Sequence, residues 1–300
     1  MINFSIYELG KLWQNSGCDV RISYLFNYRS RCMTKSKVRR HSMTAKGFSD
    51  DRDEIVMQDM AWPEISKAIE GGFKTVIIML SSVEQHGPHL PLNTDSIIAD
   101  ELAQRVARRL GHTLIAPTIR PGCSGHHLCL PGTISLRPQV LLDILRDYCS
   151  SLARHGFKKI ILISSHGGNF SPLKTFSPTL VREFSRLQII HYGDLSGYMD
   201  LWEKEVIRLG IKPEKAGGHA CLGETSEIHR LKPEAVREHR IEPGFTGPIK
   251  GLRSKVFREG VQVITKNGVI GDPRGSTPEI GEALLEKMST HLAEWVKQEG

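Results

Sequence analysis

The chain has 300 residues, room for one enzyme-sized domain or two smaller ones, and its 39% apolar and 24% charged residues are ordinary for a globular protein. No apolar run is long enough to span a membrane, and six cysteines without a CxxC pair argue against a disulfide framework and for reduced thiols in a cytoplasmic protein. The net charge of +7 belongs to the N-terminus: residues 1–42 hold eight Lys/Arg against Glu8 and Asp19, a balance of +6 that leaves +1 for the rest.

Residues 1–56 therefore read as a basic, disordered extension. A nucleic-acid arm or an organelle-targeting peptide is the sharper alternative. Glu8, Asp19 and the lack of a clean amphipathic Arg face count against a transit peptide, and there is no secretory apolar region. Met43 offers an alternative start. The near-neutral remainder gives no support to a nucleic-acid partner, and nothing in it suggests a membrane partner.

Residues 57–300 read as one domain of alternating strand and helix. A short helix is expected over 63–69. Residues 75–80, TVIIML, form an apolar, β-branched run of buried-strand length. Helical periodicity runs from Ser96 to Leu110 and stops at Gly111. A short strand at 114–116 follows. A helix is expected over 138–155, with Pro138 at its start and Gly156 past its end. Residues 160–163 are a second buried-strand run, 187–192 a further strand, and 278–297 a closing helix. This order implies a three-layer α/β/α fold around a mainly parallel central sheet.

In such sheets ligands bind beyond the carboxyl ends of the strands. Two polar clusters fall there. The first, Ser81 to Asp95, contains Glu84-Gln85-His86-Gly87-Pro88-His89-Leu90-Pro91. Glu84 and His86 are two apart, so extended backbone turns both to one side. The second is Ser164-Ser165-His166-Gly167-Gly168-Asn169. A third, Gly217 to Ser226, carries His219, Cys221 and Glu224 in a loop that no strand places. Carboxylate and imidazole without thiolate suit Zn, with Mn or Fe as alternatives.

These motifs resemble the creatininase (creatinine amidohydrolase) family. The first cluster with Asp95 is similar to its signature, His166-Gly167-Gly168-Asn169 to its second motif, and Gly218-His219-Ala220 with Glu224-Thr225-Ser226 to its third. Pro131 to Leu136 and Gly271-Asp272-Pro273 also resemble family segments. The likeness covers about residues 57–297. It implies an α/β/α domain, two divalent ions per subunit, hydrolysis of a small-molecule amide, and a homo-oligomer, often a hexamer. By resemblance, Asp95 bridges both ions, Glu84 and His166 complete one site, and His86 ligates the other. Glu224 is the remaining ligand or orients the water, and His219 is the catalytic proton carrier. His127, Asn169 and Cys221 are the expected substrate contacts. His89, between Pro88 and Pro91, reads as structural.

Three departures bear on the substrate. Creatininase itself has a glutamate where this chain has Gly168. That argues for the wider branch, which includes formamide hydrolases and a peptide-processing member. Cys221 stands where glycine is usual, and Leu222 where a glutamate is common, which removes a possible acid–base group. The alternatives are creatinine amidohydrolase proper, or a non-catalytic metal- or ligand-binding protein that kept the fold.

Overall fold

Two apolar runs with no exposed side chain at their centres make the heart of the fold. Val76 to Leu80 and Ile160 to Ile163 are all fully buried, as expected of strands covered on both faces. The computed structural model describes residues 54–299. The expected basic extension falls outside the described residues, except for its last three.

In chain order the elements are α1 (Trp62–Glu70), β1 (Thr75–Leu80), α2 (Thr94–Leu110), β2 (Thr113–Ile115), α3 (Pro138–His155) and β3 (Lys159–Ser164). These are followed by α4 (Phe170–Glu183), β4 (Gln188–His191), α5 (Leu195–Arg208), α6 (Pro213–Ala216), α7 (Leu222–Leu231), α8 (Arg253–Glu259) and α9 (Pro278–Glu299). The four strands are parallel, in the order β2-β1-β3-β4. Right-handed crossovers then place α2 on one face and α3 and α4 on the other. The fold is thus α/β with a parallel sheet between helical layers.

Expected and observed elements agree closely for β1 and α3. Two differences matter. The helical pattern expected from Ser96 begins at Thr94, so Asp95 lies inside the first turn of α2. The third motif is only half loop, because Leu222 opens α7 and Glu224 sits in its first turn.

The direction of winding reverses between β1 and β3, and the chain there leaves a crevice. The two strands pair in level register, with Leu80 opposite Ser164. Their following loops therefore start side by side.

Helices α2 and α7 are tied by α9, which packs against both. Glu282 on α9 accepts two hydrogen bonds from Arg105 of α2, at 2.7 and 2.9 Å, and one from Arg230 of α7, at 2.8 Å. The close approach depends on Gly281, where a Cβ would lie 2.1 Å from the Ser226 carbonyl oxygen.

Hydrogen bonds from Arg105 hold the Glu282 carboxyl down from 4.5 to about 2. A depressed carboxylate stabilises the fold above its unfolded pKa and loses that effect as pH falls through its folded value. Arg105→Ala should lower the thermal midpoint at pH 7. The gap from the unmutated protein should close as pH falls from about 4.5 to about 2, as read by calorimetry.

Candidate metal centre

Short side-chain bonds fix the two loops at the crevice. Ser164 Oγ donates to the Leu80 carbonyl at 2.9 Å, and Ser165 Oγ donates to the Asp95 carbonyl at 3.0 Å. The β3 end is thereby held to the β1 end and to the first turn of α2. At the start of α7, the Glu224 carboxylate accepts the backbone N–H of Ala220, which ties it to the preceding loop.

This scaffold gathers Glu84, His86, Asp95, His166 and His219, all buried, with Glu224 beside them. Asp95 Oδ1 lies 3.4 Å from His86 Nε2, and Oδ2 lies 3.3 Å from His166 Nδ1. Glu84 Oε1 is 3.2 Å from His166 Nδ1. Glu224 Oε2 is 3.9 Å from His86 Nε2. Two sets of donor atoms are close enough to share an ion: Glu84, Asp95 and His166, and His86, His219 and Glu224. Glu84, His127 and His219 form a third.

The second ring nitrogens explain the aim of the first. His86 Nδ1–H donates to the Glu84 carbonyl at 3.1 Å, which leaves Nε2 facing the centre. His166 Nε2 lies 3.3 Å from the Cys123 carbonyl, which leaves Nδ1 facing the centre. Fixing a tautomer through the outer nitrogen is how ligating histidines are oriented. Ser82 Oγ donates to Glu84 Oε2 at 3.0 Å and also contacts Ser124, whose Oγ reaches His166.

A fit test for metal comes from groups left unsatisfied. Among the described residues, three buried side-chain atoms lack a hydrogen bond, His86 Nε2, Asp95 Oδ2 and His89 Nδ1, and the first two face the centre. Buried polar atoms are rarely left so, and divalent ions would satisfy both. The charges agree. Burial opposes a charged His86, but Asp95, Glu224 and Glu84 raise it to about 10. Burial likewise opposes the Glu84 carboxylate, yet His166 and His127 hold it well below the usual range. Burial lifts Glu224 to about 7, against the pull of His86. Three carboxylates in one dry site thus favour cations.

Gln85, which sequence reasoning passed over, joins several of these groups. Its Nε2 donates to His127 Nδ1 at 2.7 Å and to the Gly268 carbonyl at 3.3 Å. Its backbone carbonyl accepts from His219 Nε2 at 2.7 Å. Both amide protons are used, so the nearer backbone oxygen takes the His219 proton. His219 Nδ1 is then an acceptor, 3.7 Å from Glu84 Oε1. Burial and His86 push His219 down to about 3, which keeps it neutral. Backbone bonds between His219 and Ile270 hold its loop.

The centre lines a cavity of about 130 Å³. Tyr198, Trp202, Phe257, Val261 and Ile270 make apolar walls, with His126 and His127 beside the centre.

Of the expected substrate contacts, His127 lines this cavity, but Cys221 and Asn169 do not. Cys221 is fully buried behind the wall, and burial pushes its thiol up to about 12. A thiol in that setting is inert. Asn169 spends its amide on the loops: Oδ1 accepts from Cys123 N at 2.9 Å, and Nδ2 donates to Ser81 O and Ser164 Oγ. His89 Nε2 meets Thr225 Oγ1 at 2.9 Å, which ties the first motif to α7.

A parallel α/β protein with a buried carboxylate–histidine centre at the reversal point of its sheet is thereby defined. The chain belongs to the creatininase family: the family model described as creatinine amidohydrolase matches residues 58–296. It is 31% identical over 240 residues to the mycofactocin precursor peptide peptidase of Mycobacterium tuberculosis, covering 75% of this chain and 86% of that one. It is 25% identical over 260 residues to the creatinine amidohydrolase of Pseudomonas putida, covering 82% and 97%. A solved mutant creatininase of Zn-Zn type shares the fold, with a TM-score of 0.69 and 23% identity over 83% of this chain and 99% of that one.

Because Asn169 staples three segments, Asn169→Ala should lower stability by about 1–3 kcal/mol through unsatisfied buried partners. Urea denaturation with an unchanged slope is the check.

Proposed function

We propose that this chain is a metal-dependent amidohydrolase that cleaves a small or non-peptide amide C–N bond with a two-metal-activated water. The observation that carries this reading is the divided carboxylate of Asp95, one oxygen toward His86 and the other toward His166. Glu84, Asp95 and His166 would hold one ion, and His86, Asp95 and Glu224 the other. Two such ions supply hydroxide near neutral pH and polarise a carbonyl oxygen.

The remaining tasks fall to the chain's own groups. His219 offers Nδ1 as an acceptor, so it takes up a proton at that atom and returns it to the departing nitrogen. Gln85 holds the ring by accepting at Nε2–H, which preserves the tautomer that the task needs. His127 contacts the substrate, and the apolar walls exclude bulk water. Leu222 offers no acid–base group in the third motif, which leaves His219 and Glu224 as its proton-exchanging groups.

Gly168 bears on the substrate. A Cβ there would lie 2.2 Å from the Cys123 carbonyl oxygen and 2.4 Å from His166 Nε2. The glutamate of creatininase itself has no room at this position, and Glu224 supplies the carboxylate instead. This supports an amide other than creatinine. Zinc, with manganese or iron as alternatives, a cytoplasmic location and a homo-oligomer complete the reading. The buried free thiols of Cys149 and Cys221 suit a reducing compartment. Among the described residues, no helix is long and apolar enough to cross a membrane.

Two experiments test the assignments. Asp95→Ala should lose both ions by elemental analysis, whereas His86→Ala should lose one; full metal content in Asp95→Ala would refute the bridge. His219 also belongs to a donor set with His86 and Glu224, so ligation is its competing role. If it carries the proton, His219→Ala should lower kcat by roughly 10²–10⁴-fold with metal content maintained. A screen of formamides, cyclic amides and short peptides supplies the substrate, and metal lost in proportion to activity would make His219 a ligand.

A further inference from the structure

The cavity contains one acidic group that the proposed chemistry leaves unused. Glu227 lines the same cavity as the centre and is only 4% exposed. Among the described residues it makes no hydrogen bond and no ion pair. Arg105, the one cation acting on it, is engaged with Glu101 and Glu282. Burial, then Glu224 and Asp95, push its carboxyl well above the usual range, so it is held neutral until a cation comes beside it, because a buried carboxylate without a partner is expensive.

Its position is defined by Glu224. The two lie three apart on α7, so they share a helix face with Cβ atoms ~5–6 Å apart. Glu224 turns toward His86 and Glu227 opens into the space beyond. The walls of that space include Tyr198, Trp202 and Phe170. Glu227 also raises the Tyr198 hydroxyl electrostatically, after burial, so the phenol is close by. A carboxyl among aromatic faces is the chemistry that receives an ammonium group, through an ion pair and through the ring faces.

We infer that Glu227 is a specificity residue that binds a protonated amine on the substrate, so that the amide taken by this site carries an amino group close to the scissile carbonyl. The inference rests on the amidohydrolase reading for the position of that carbonyl. The three-residue rise between Glu224 and Glu227 (~4.5 Å) fits an amine two or three bonds from the carbonyl carbon. Amino-acid amides and the amino ends of short peptides have this spacing. Simple formamides lack the amine.

The test uses the metal-loaded full chain and a matched pair of probes, leucinamide and its desamino isostere 4-methylpentanamide. Trp202, in the cavity wall, reports binding by fluorescence, and released ammonia reports turnover. The unmutated protein should prefer leucinamide by at least tenfold, about 1.4 kcal/mol. In Glu227→Gln, which keeps the shape but cannot ionise beside an ammonium, that ratio should fall to about one. Glu227→Asp should restore part of it. A preference that survives Glu227→Gln overturns the inference, as does equal binding of the two probes or binding of neither by the unmutated protein. Failure of the enzymatic reading looks different: protein without bound metal, or binding of leucinamide with no ammonia released at full metal loading.

Discussion

Three carboxylates cannot all stay ionised in one dry site unless positive charge is brought to them. That requirement organises this molecule. Glu84, Asp95 and Glu224 come from the end of β1, the start of α2 and the start of α7. Each is held by bonds that leave an oxygen turned toward the others. The imidazoles of His86 and His166 are oriented from behind, by backbone carbonyls, with their free nitrogens forward. The hydrogen-bonded serines, the level pairing of β1 with β3 and the clamp on α9 all keep these groups close despite their mutual repulsion.

The sheet and the first two motifs were legible because they depend on local pattern. A run such as TVIIML can only be buried, and a polar, Gly- and Pro-rich stretch after it must be the loop at the strand's carboxyl end. Pro138 and Gly156 bound α3 by the same local rules. The third motif was less legible. His219 is placed by backbone pairing with Ile270, a contact far away in sequence that leaves no periodic signal. Helix α4 also escaped the sequence reading, since Pro178 lies inside it and reads as a helix breaker.

Residue roles were legible only where chemistry decided them. Glu84, His86, Asp95, His166 and Glu224 stand where ligand-type residues were expected to converge. Cys221 and Asn169 were expected at the substrate because they neighbour His219 and His166 in the chain. Neighbours in a loop or at a helix start commonly face opposite ways, and these two point into the protein. Gln85 was hidden for the converse reason. Its amide is an unremarkable group in a motif of charged ones, and its importance comes from three partners distant in sequence. Glu227 had a visible cue in its spacing of three from Glu224, which on a helix means a shared face.

The Glu282 clamp has a consequence for biogenesis. Helices α2 and α7 carry Asp95 and Glu224, but the helix that sets the distance between them is α9, at residues 278–299. During synthesis the earlier strands and helices can form as they emerge from the ribosome. The distance between the two carboxylates stays open until the final helix docks. A chain in which α9 has not yet docked therefore carries Asp95 and Glu224 on helices whose spacing is not yet fixed.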